Sequence, residues 1–502
     1  MIMASPTAVS HCGKITAMPL KICFASAEVT PFAKAGGLAD VSGALLKYLH
    51  ADGHDVRLFM PGYSSIQREG LEIYPVDFLS NLSLTLGSYR YDFSVSTAQL
   101  PGSGAFVYLV DCPAAFHRPS IYTLDADEHR RFLLLTHAAF ICCQRMAFAP
   151  QIMHFNDWHT AAGTLLMRST YAWDRLFQGA RSVLTVHNIG YQGIISSAVH
   201  AEVLPGGPIT MFDAADFAAG RINLLRTGLA YADRITTVSP TYARELRTAE
   251  YGMGLEGLLR KRTDAIVGIL NGVDYDEWDP RRDHYVTPHY GANQLGTKSD
   301  IKEQFLQRIN LANGTRTALI GIVSRLATQK GFDLLIDCMP RLLQAREFNL
   351  VVLGTGEPRY ENFFTELQRR FPARVHFERR YSDELAHWIE AASDMFLMPS
   401  RYEPCGLNQM YSMRYGTVPI VRRTGGLADS VQHFDADSGS GTGIVFNDYN
   451  ADGVTWAINT ALDLYQNRGA WRRLMQNGMA QDYSWSRQVH GYIELYDSLV
   501  QA

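Results

Sequence analysis

KAGGLAD at 34–40 returns near the other end of the chain as RTGGLAD at 423–429. Each copy is a cation, a glycine pair and then an apolar run with helical character. The first follows the strand-like run 22–25 after a short loop, and the second follows 418–421. A glycine pair lets backbone N–H groups come close to an anion. The start of a helix adds partial positive charge there, and the cation adds a full one. Two such copies predict two related α/β halves that face one anionic ligand.

The rest of the sequence fits that frame. Short β-rich apolar runs at 21–26, 55–60, 105–110, 151–156, 182–187 and 234–239 alternate with helix-like segments, and 318–323, 349–354, 374–378, 394–399 and 418–421 do so again. Runs this apolar suit parallel strands buried on both faces, so the expected fold is α/β, with two doubly wound, Rossmann-like domains facing a cleft. A turn-rich stretch after 265–274 marks the boundary. The expected division is a tail at 1–19, a first domain at 20–272, a second at 273–485, and a final helix at 486–502 that returns to the first. Met18 is a candidate start.

Composition narrows the function. The 502 residues are 47% hydrophobic and 19% charged, which allows a sizeable core and argues against global disorder. A net charge of -4 gives no support to general nucleic-acid binding. The seven cysteines, at 12, 23, 112, 142, 143, 338 and 405, are odd in number and form no CxxC, which suits a reducing, cytoplasmic compartment. No apolar run approaches the roughly 18 residues of a membrane span, and the N-terminus lacks a signal-peptide core.

Ligands of open α/β sheets bind beyond the carboxyl ends of the strands. The unusual residues fall there: 28–40, 156–159, 187–188, 325–330, 354–356 and 401–407. In SRLATQKG (324–331), Arg325 and Lys330 can stabilise the charge of a leaving diphosphate without a metal, although two solvated surface cations would look the same. In RYEPCGLNQMY (401–411), Glu403 can support an oxocarbenium-like sugar, while the N–H groups of Gly406 and Leu407 after Cys405 can meet phosphate oxygens. The bland alternative makes Glu403 a helix cap. His154, Asp157 and His159 crowd HFNDWH. Sugar binding by Asp157 is preferred to a metal site, and core hydrogen bonding is expected for His154. His187 ends a strand and stands evenly between structural and functional roles. Gly354 lies in a short GxG loop that could equally be a tight turn. The DxD triplets at 125–127, 274–276 and 435–437 read as solvated loops.

These strings, with TVHNIGYQG (185–193), ILNGVDYDEWDP (269–280) and EPCGLNQMYSMRYGTVPIVRRTGGLADSV (403–431), resemble the bacterial glycogen synthases and plant starch synthases over about 20–499. The resemblance implies a GT-B fold and retaining transfer of α-glucose from ADP-glucose to the 4-OH at the non-reducing end of an α-1,4-glucan, with no cofactor. It implies that Lys34 meets the sugar nucleotide, with Gly36 and Gly37 beside the phosphates and Asp40 a further substrate-binding residue. Asp157, His187, Asn271 and Glu403 would surround the glucosyl group, and Arg325 and Lys330 the phosphates. Tyr381 would stack on adenine, and Tyr411 stands where many related transferases carry a second Glu. The stretch 117–132 departs from the family pattern on the acceptor side, and Ala35 replaces a commoner Thr or Val. Other readings are a UDP-glucose-using transferase, a phosphorylase, a catalytically silent glucan-binding scaffold and a nicotinamide dehydrogenase. The chain is short for a phosphorylase and shows no pyridoxal lysine context. Retention of Lys34, Arg325, Lys330 and Glu403 disfavours the scaffold, and the lack of GxGxxG after the first strand disfavours the dehydrogenase.

Overall fold

The computed structural model describes residues 18–123, 125–311 and 314–501, so nearly all of the expected N-terminal tail lies outside the described residues. Among these, the chain builds two large sheets with helices packed on them. In the first, parallel strands run in the order Ile266–Gly268, Arg234–Thr237, Arg181–Val186, Ile152–Asn156, Lys21–Ala25, Asp55–Pro61 and Phe106–Asp111. Antiparallel strands Tyr89–Gln99, Ile73–Pro75 and Leu82–Leu86 extend the last edge. The second sheet is wholly parallel, in the order Val375–Glu378, Phe348–Leu353, Ala318–Val323, Met395–Met398, Val418–Arg422 and Ile444–Phe446.

Counted along the chain within each half, the parallel strands of both sheets follow the doubly wound order 3-2-1-4-5-6, and the first sheet adds a seventh. Central strands such as FNLVVL (348–353) are buried at every position, as a sheet covered on both faces requires. The strands that sequence patterning missed are of two kinds. Tyr89–Gln99 is half polar because part of it faces solvent, and Ile444–Phe446 is too short to show a period.

The order reverses between Lys21–Ala25 and Ile152–Asn156 in one half, and between Ala318–Val323 and Met395–Met398 in the other. Each reversal splays two loops apart and leaves a crevice at the carboxyl ends of the strands. The chain crosses between halves near Val273 and returns near Ser484, and the two crossings touch. Val273 N–H donates to Tyr483 O at 2.7 Å, and Trp485 N–H to Val273 O at 3.2 Å. Gly272 permits this approach, since a Cβ there would lie 2.7 Å from Trp485 Cα. The helix Trp485–Val500 then packs on the helix Gly37–Ala51, placing Trp485, Val489, Tyr492 and Tyr496 in the core of the first half.

Candidate active site

The loop after the first strand folds around a carboxyl group of the protein itself. Glu28 is buried, and its carboxylate accepts from the N–H groups of Ala35 and of Gly36, the latter at 2.9 Å, and from the Tyr122 hydroxyl. Burial raises the Glu28 pKa, and these three donors offset part of the rise. A Cβ built on Gly36 or Gly37 would meet nothing within 4 Å, so both glycines border open space. Gly37 N–H has no partner among the described residues. Lys34 pairs with Asp40 at 2.9 Å, and Asp40 also accepts from Thr30 Oγ1 at 3.0 Å.

The second glycine loop is different, which corrects the expectation that both copies face the ligand. Gly425 N–H donates to Glu245 of the first half at 3.0 Å, and Gly426 N–H to the Glu403 carbonyl at 3.1 Å. Gly425 has φ +44°, and a Cβ there would lie 1.8 Å from Glu403 O; one on Gly426 would lie 2.2 Å from Cys405 O. These glycines let the loop press against 403–405 and bind the other half. The same contact surface includes Thr241 N–H and Oγ1 to Asp429, at 2.7 and 2.6 Å, and Ser239 Oγ to Pro404 O at 2.7 Å.

The remaining expected polar residues come from both halves. Lys330 Nζ sits 2.6 Å from Glu403 Oε2, which also accepts from Ser400 Oγ at 3.0 Å. Glu403 is buried, whereas Arg325 is exposed and has no side-chain partner among the described residues. From the first half come Asp157 and His187. Asp157 opens the helix Asp157–Met167 with φ +50°, a conformation that L residues other than Asn and Asp rarely hold. Its Oδ1 accepts from His187 N–H at 2.7 Å and Asn188 N–H at 3.3 Å, while Oδ2 has no partner among the described residues. Burial pushes the Asp157 pKa up to about 7, despite those two donors. Burial also lowers His187 to about 3, so its ring is neutral, with Nε2 2.9 Å from Asn156 Oδ1. Asn271 Oδ1 is buried with no partner among the described residues. Neither Gly406 nor Leu407 N–H donates to any described group. Burial pushes the Cys405 thiol up to about 12.

Other expected site residues have local explanations. A Cβ on Gly354 would lie 1.9 Å from Ser324 O, and its N–H donates to Glu378 O, so this glycine serves close strand packing. Tyr411 stacks on Trp278, with centroids 4.0 Å apart and planes 2° apart; Trp278 in turn stacks on His387 at 3.8 Å. Tyr381 is 73% exposed, with its hydroxyl donating to Asp383. The DxD carboxylates have side-chain partners of their own: Asp125 and Asp127 pair with Arg118, Asp274 and Asp276 with the distant Lys47, and Asp435 with Ser438. Both ring nitrogens of His154 are engaged, with Tyr496 and Thr185 at 2.6 Å each, which removes it from any metal set. Among the described residues no group of three or more His, Cys, Asp or Glu side chains converges on one point. Described cysteines are unbridged and buried.

Sequence reasoning missed Glu28, Glu245 and Asp283. Asp283, fully buried, binds His387 Nδ1 at 2.9 Å and the Tyr415 hydroxyl, anchoring the aromatic stack behind Tyr411. It lies in the stretch read only as a turn-rich boundary. Glu28 was inside the loop of interest, but nothing in the string says that a carboxylate folds back onto the glycine N–H groups.

The chain matches two family models: the starch synthase catalytic domain over residues 21–261, and the glycosyl transferases group 1 over 303–477. It is 41% identical over 487 residues to a glycogen synthase of Koribacter versatilis, covering 96% of this chain and 99% of that one. It is 40% identical over 482 residues to a glycogen synthase of Thermotoga maritima, covering 95% and 98%. Among solved structures, the catalytic domain of starch synthase IV from Arabidopsis thaliana, bound to ADP and acarbose, superposes with a TM-score of 0.89 and 32% identity, covering 97% of this chain and all of that one. Sucrose-phosphate synthase from Thermosynechococcus elongatus shares the fold, with a TM-score of 0.61 and 17% identity. No described helix is long and apolar enough to cross a membrane.

Proposed function

The chain belongs to the glycogen and starch synthase family, and from that premise we propose that it lengthens an α-1,4-glucan with glucose from ADP-glucose, retaining the anomeric configuration. The observation that carries this reading is the identity of about 40% to glycogen synthases along almost the whole chain.

The site roles follow from chemistry. Arg325 and Lys330 hold the diphosphate, and the uncommitted N–H groups of Gly406 and Leu407 take further phosphate oxygens. Lys34 and the open face of Gly36 and Gly37 border the donor from the other half. Asp157 Oδ2 and Asn271 Oδ1 accept sugar hydroxyl hydrogens, and the exposed Tyr381 ring stacks on the adenine.

Retention requires either two inversions or attack on the face that the leaving group departs from. The second is preferred, because no motif clearly provides a carboxylate beneath C1 for a double displacement. The acceptor O4 bonds to C1 as the C1–O phosphate bond breaks. The bonding pair leaves with the phosphate oxygen, and that oxygen takes the proton from the acceptor hydroxyl. Glu403 supports the positive sugar, and the neutral His187 adds polarity without a competing charge.

Incubation with labelled ADP-glucose and glycogen tests the reading. Label should enter polymer, and labelled UDP-glucose should be used far less. Polymer without label from either donor would overturn it. Better turnover of UDP-glucose would change the donor and keep the reaction.

A further inference from the structure

Asn156 ends the strand Ile152–Asn156, which lies between Lys21–Ala25 and Arg181–Val186. It therefore stands at the crevice where the first sheet reverses its order. It also immediately precedes the helix Asp157–Met167, a place where an Asn side chain ordinarily accepts from an N–H of the first turn. Here the side chain makes no such cap. It is buried, at 1% exposure, and bridges the ends of both neighbouring strands. Nδ2 donates to Ala25 O at 3.0 Å, and Oδ1 lies 2.9 Å from His187 Nε2.

These two contacts decide where the protons are. Ala25 O only accepts, so the end of the amide that faces it is the Nδ2 donor. The end turned to His187 is then Oδ1, which also only accepts. Two acceptors facing each other in a buried contact cost free energy, so His187 Nε2 carries a hydrogen. Burial keeps the ring neutral, which leaves Nδ1 without one. The nearby His154 and His159 are neutral for the same reason, with pKa values lowered to about 3. The backbone of His187 is held too, since its N–H donates to Asp157 Oδ1 at 2.7 Å. Nδ1 has no partner among the described residues, and His187 keeps 9% of its surface exposed.

We propose that Asn156 is a positioning residue for glucosyl transfer: it fixes His187 in its Nε2–H form, so that Nδ1 stands as a bare acceptor for a hydroxyl of the donor sugar. The proposal rests on the reading that places His187 beside the glucosyl group. The direction of the ring dipole matters there. An N–H aimed at a sugar that gains positive charge in the transition state opposes that charge, whereas a lone pair supports it. The cap that Asn156 forgoes at the helix start is thus spent on the orientation of one proton.

The test is a double-mutant cycle with Asn156→Leu, His187→Ala and the two together, read with ADP-glucose and glycogen. Leucine keeps the bulk of the side chain and cannot accept. Asn156→Ala takes its place if Asn156→Leu does not fold. Asn156→Leu should lower kcat/KM for ADP-glucose about tenfold, the loss of one orienting hydrogen bond, while the KM for glycogen stays within about twofold. With His187→Ala already present, the same change should cost less than about twofold, because no ring is left to orient. In wild type with isotopically labelled histidine, the nitrogen signals that His187→Ala removes should show Nε2 protonated and Nδ1 bare. Asn156→Leu should mix the two forms. Independent, multiplicative losses in the cycle would overturn the proposal, because Asn156 would then act without His187. So would a protonated Nδ1 in wild type, or an unchanged kcat/KM in folded Asn156→Leu. A wild-type rate in His187→Ala would instead overturn the placing of His187 beside the sugar, and the labelled spectrum would still decide the tautomer.

Discussion

Lys330 and Glu403 form one unit, and each is the other's charge partner at 2.6 Å. Removing Lys330 deletes a cation for the leaving diphosphate and leaves a buried carboxylate with Ser400 alone. Lys330→Ala and Glu403→Ala should each lower turnover by about 100-fold or more, the usual cost of losing transition-state charge stabilisation. Near wild-type rates in a folded variant of either would remove its role. Asp157 offers a second test, through pH. An unfolded chain ionises this residue near 3.8, whereas burial moves the folded value to about 7. Between those values the folded state keeps a proton that the unfolded state has lost. The stabilisation from that proton is fully present below about pH 4 and is lost as pH rises through 7. Asp157→Asn has no such proton, keeps an acceptor for the His187 and Asn188 N–H groups, and tolerates the left-handed backbone. Its urea midpoint should exceed that of wild type at pH 8 and match it near pH 4, while turnover falls at least tenfold. An unchanged pH slope would show that Asp157 is ionised throughout.

The twin glycine loops show how one string acquires two jobs. Both were legible as loop-to-helix turns at strand ends. Only packing separates them: the first borders open space and the second is pressed against the Glu403 loop. Gly36→Ala should therefore keep the wild-type urea midpoint, since φ -157° suits any residue, but should raise the KM for ADP-glucose because its methyl enters the donor space. Gly425→Ala should cost about 2–4 kcal/mol, from a left-handed φ and a carbonyl 1.8 Å from the new Cβ. Equal midpoints for the two variants would refute the division of labour. The parallel strands were legible because burial on both faces makes them continuously apolar. The antiparallel edge Tyr89–Gln99 was not, because one-sided burial dilutes the apolar pattern.

Lys34 and the Arg325, Lys330 and Glu403 group come from different halves, and the proposed donor contacts predict that the halves close on one donor. The paired crossings at Val273 and Ser484 are the expected hinge, and the contacts of Glu245 and Thr241 with 424–429 the expected latch. Glu245→Ala should loosen the latch. Small-angle scattering should then give a larger radius of gyration than wild type without ligand, and the two should converge with saturating ADP and a glucan oligomer. Equal radii without ligand would show that Glu245 does not hold the halves together.

The sequence by itself determined the two α/β halves and marked the strand ends where Arg325, Lys330, Glu403, Asp157 and His187 stand, the residues proposed for the site. Those features are local: apolar runs, turn formers and charged groups at fixed offsets from a strand. Tertiary structure alone decided which glycine loop borders open space, that Glu28 and Glu245 occupy glycine N–H groups, and that Trp278 backs Tyr411. Those facts depend on side chains far apart in sequence meeting across a cleft. Whether a backbone N–H is free for a ligand is settled by what else is packed within hydrogen-bonding distance, and no string of neighbours along the chain encodes that distance.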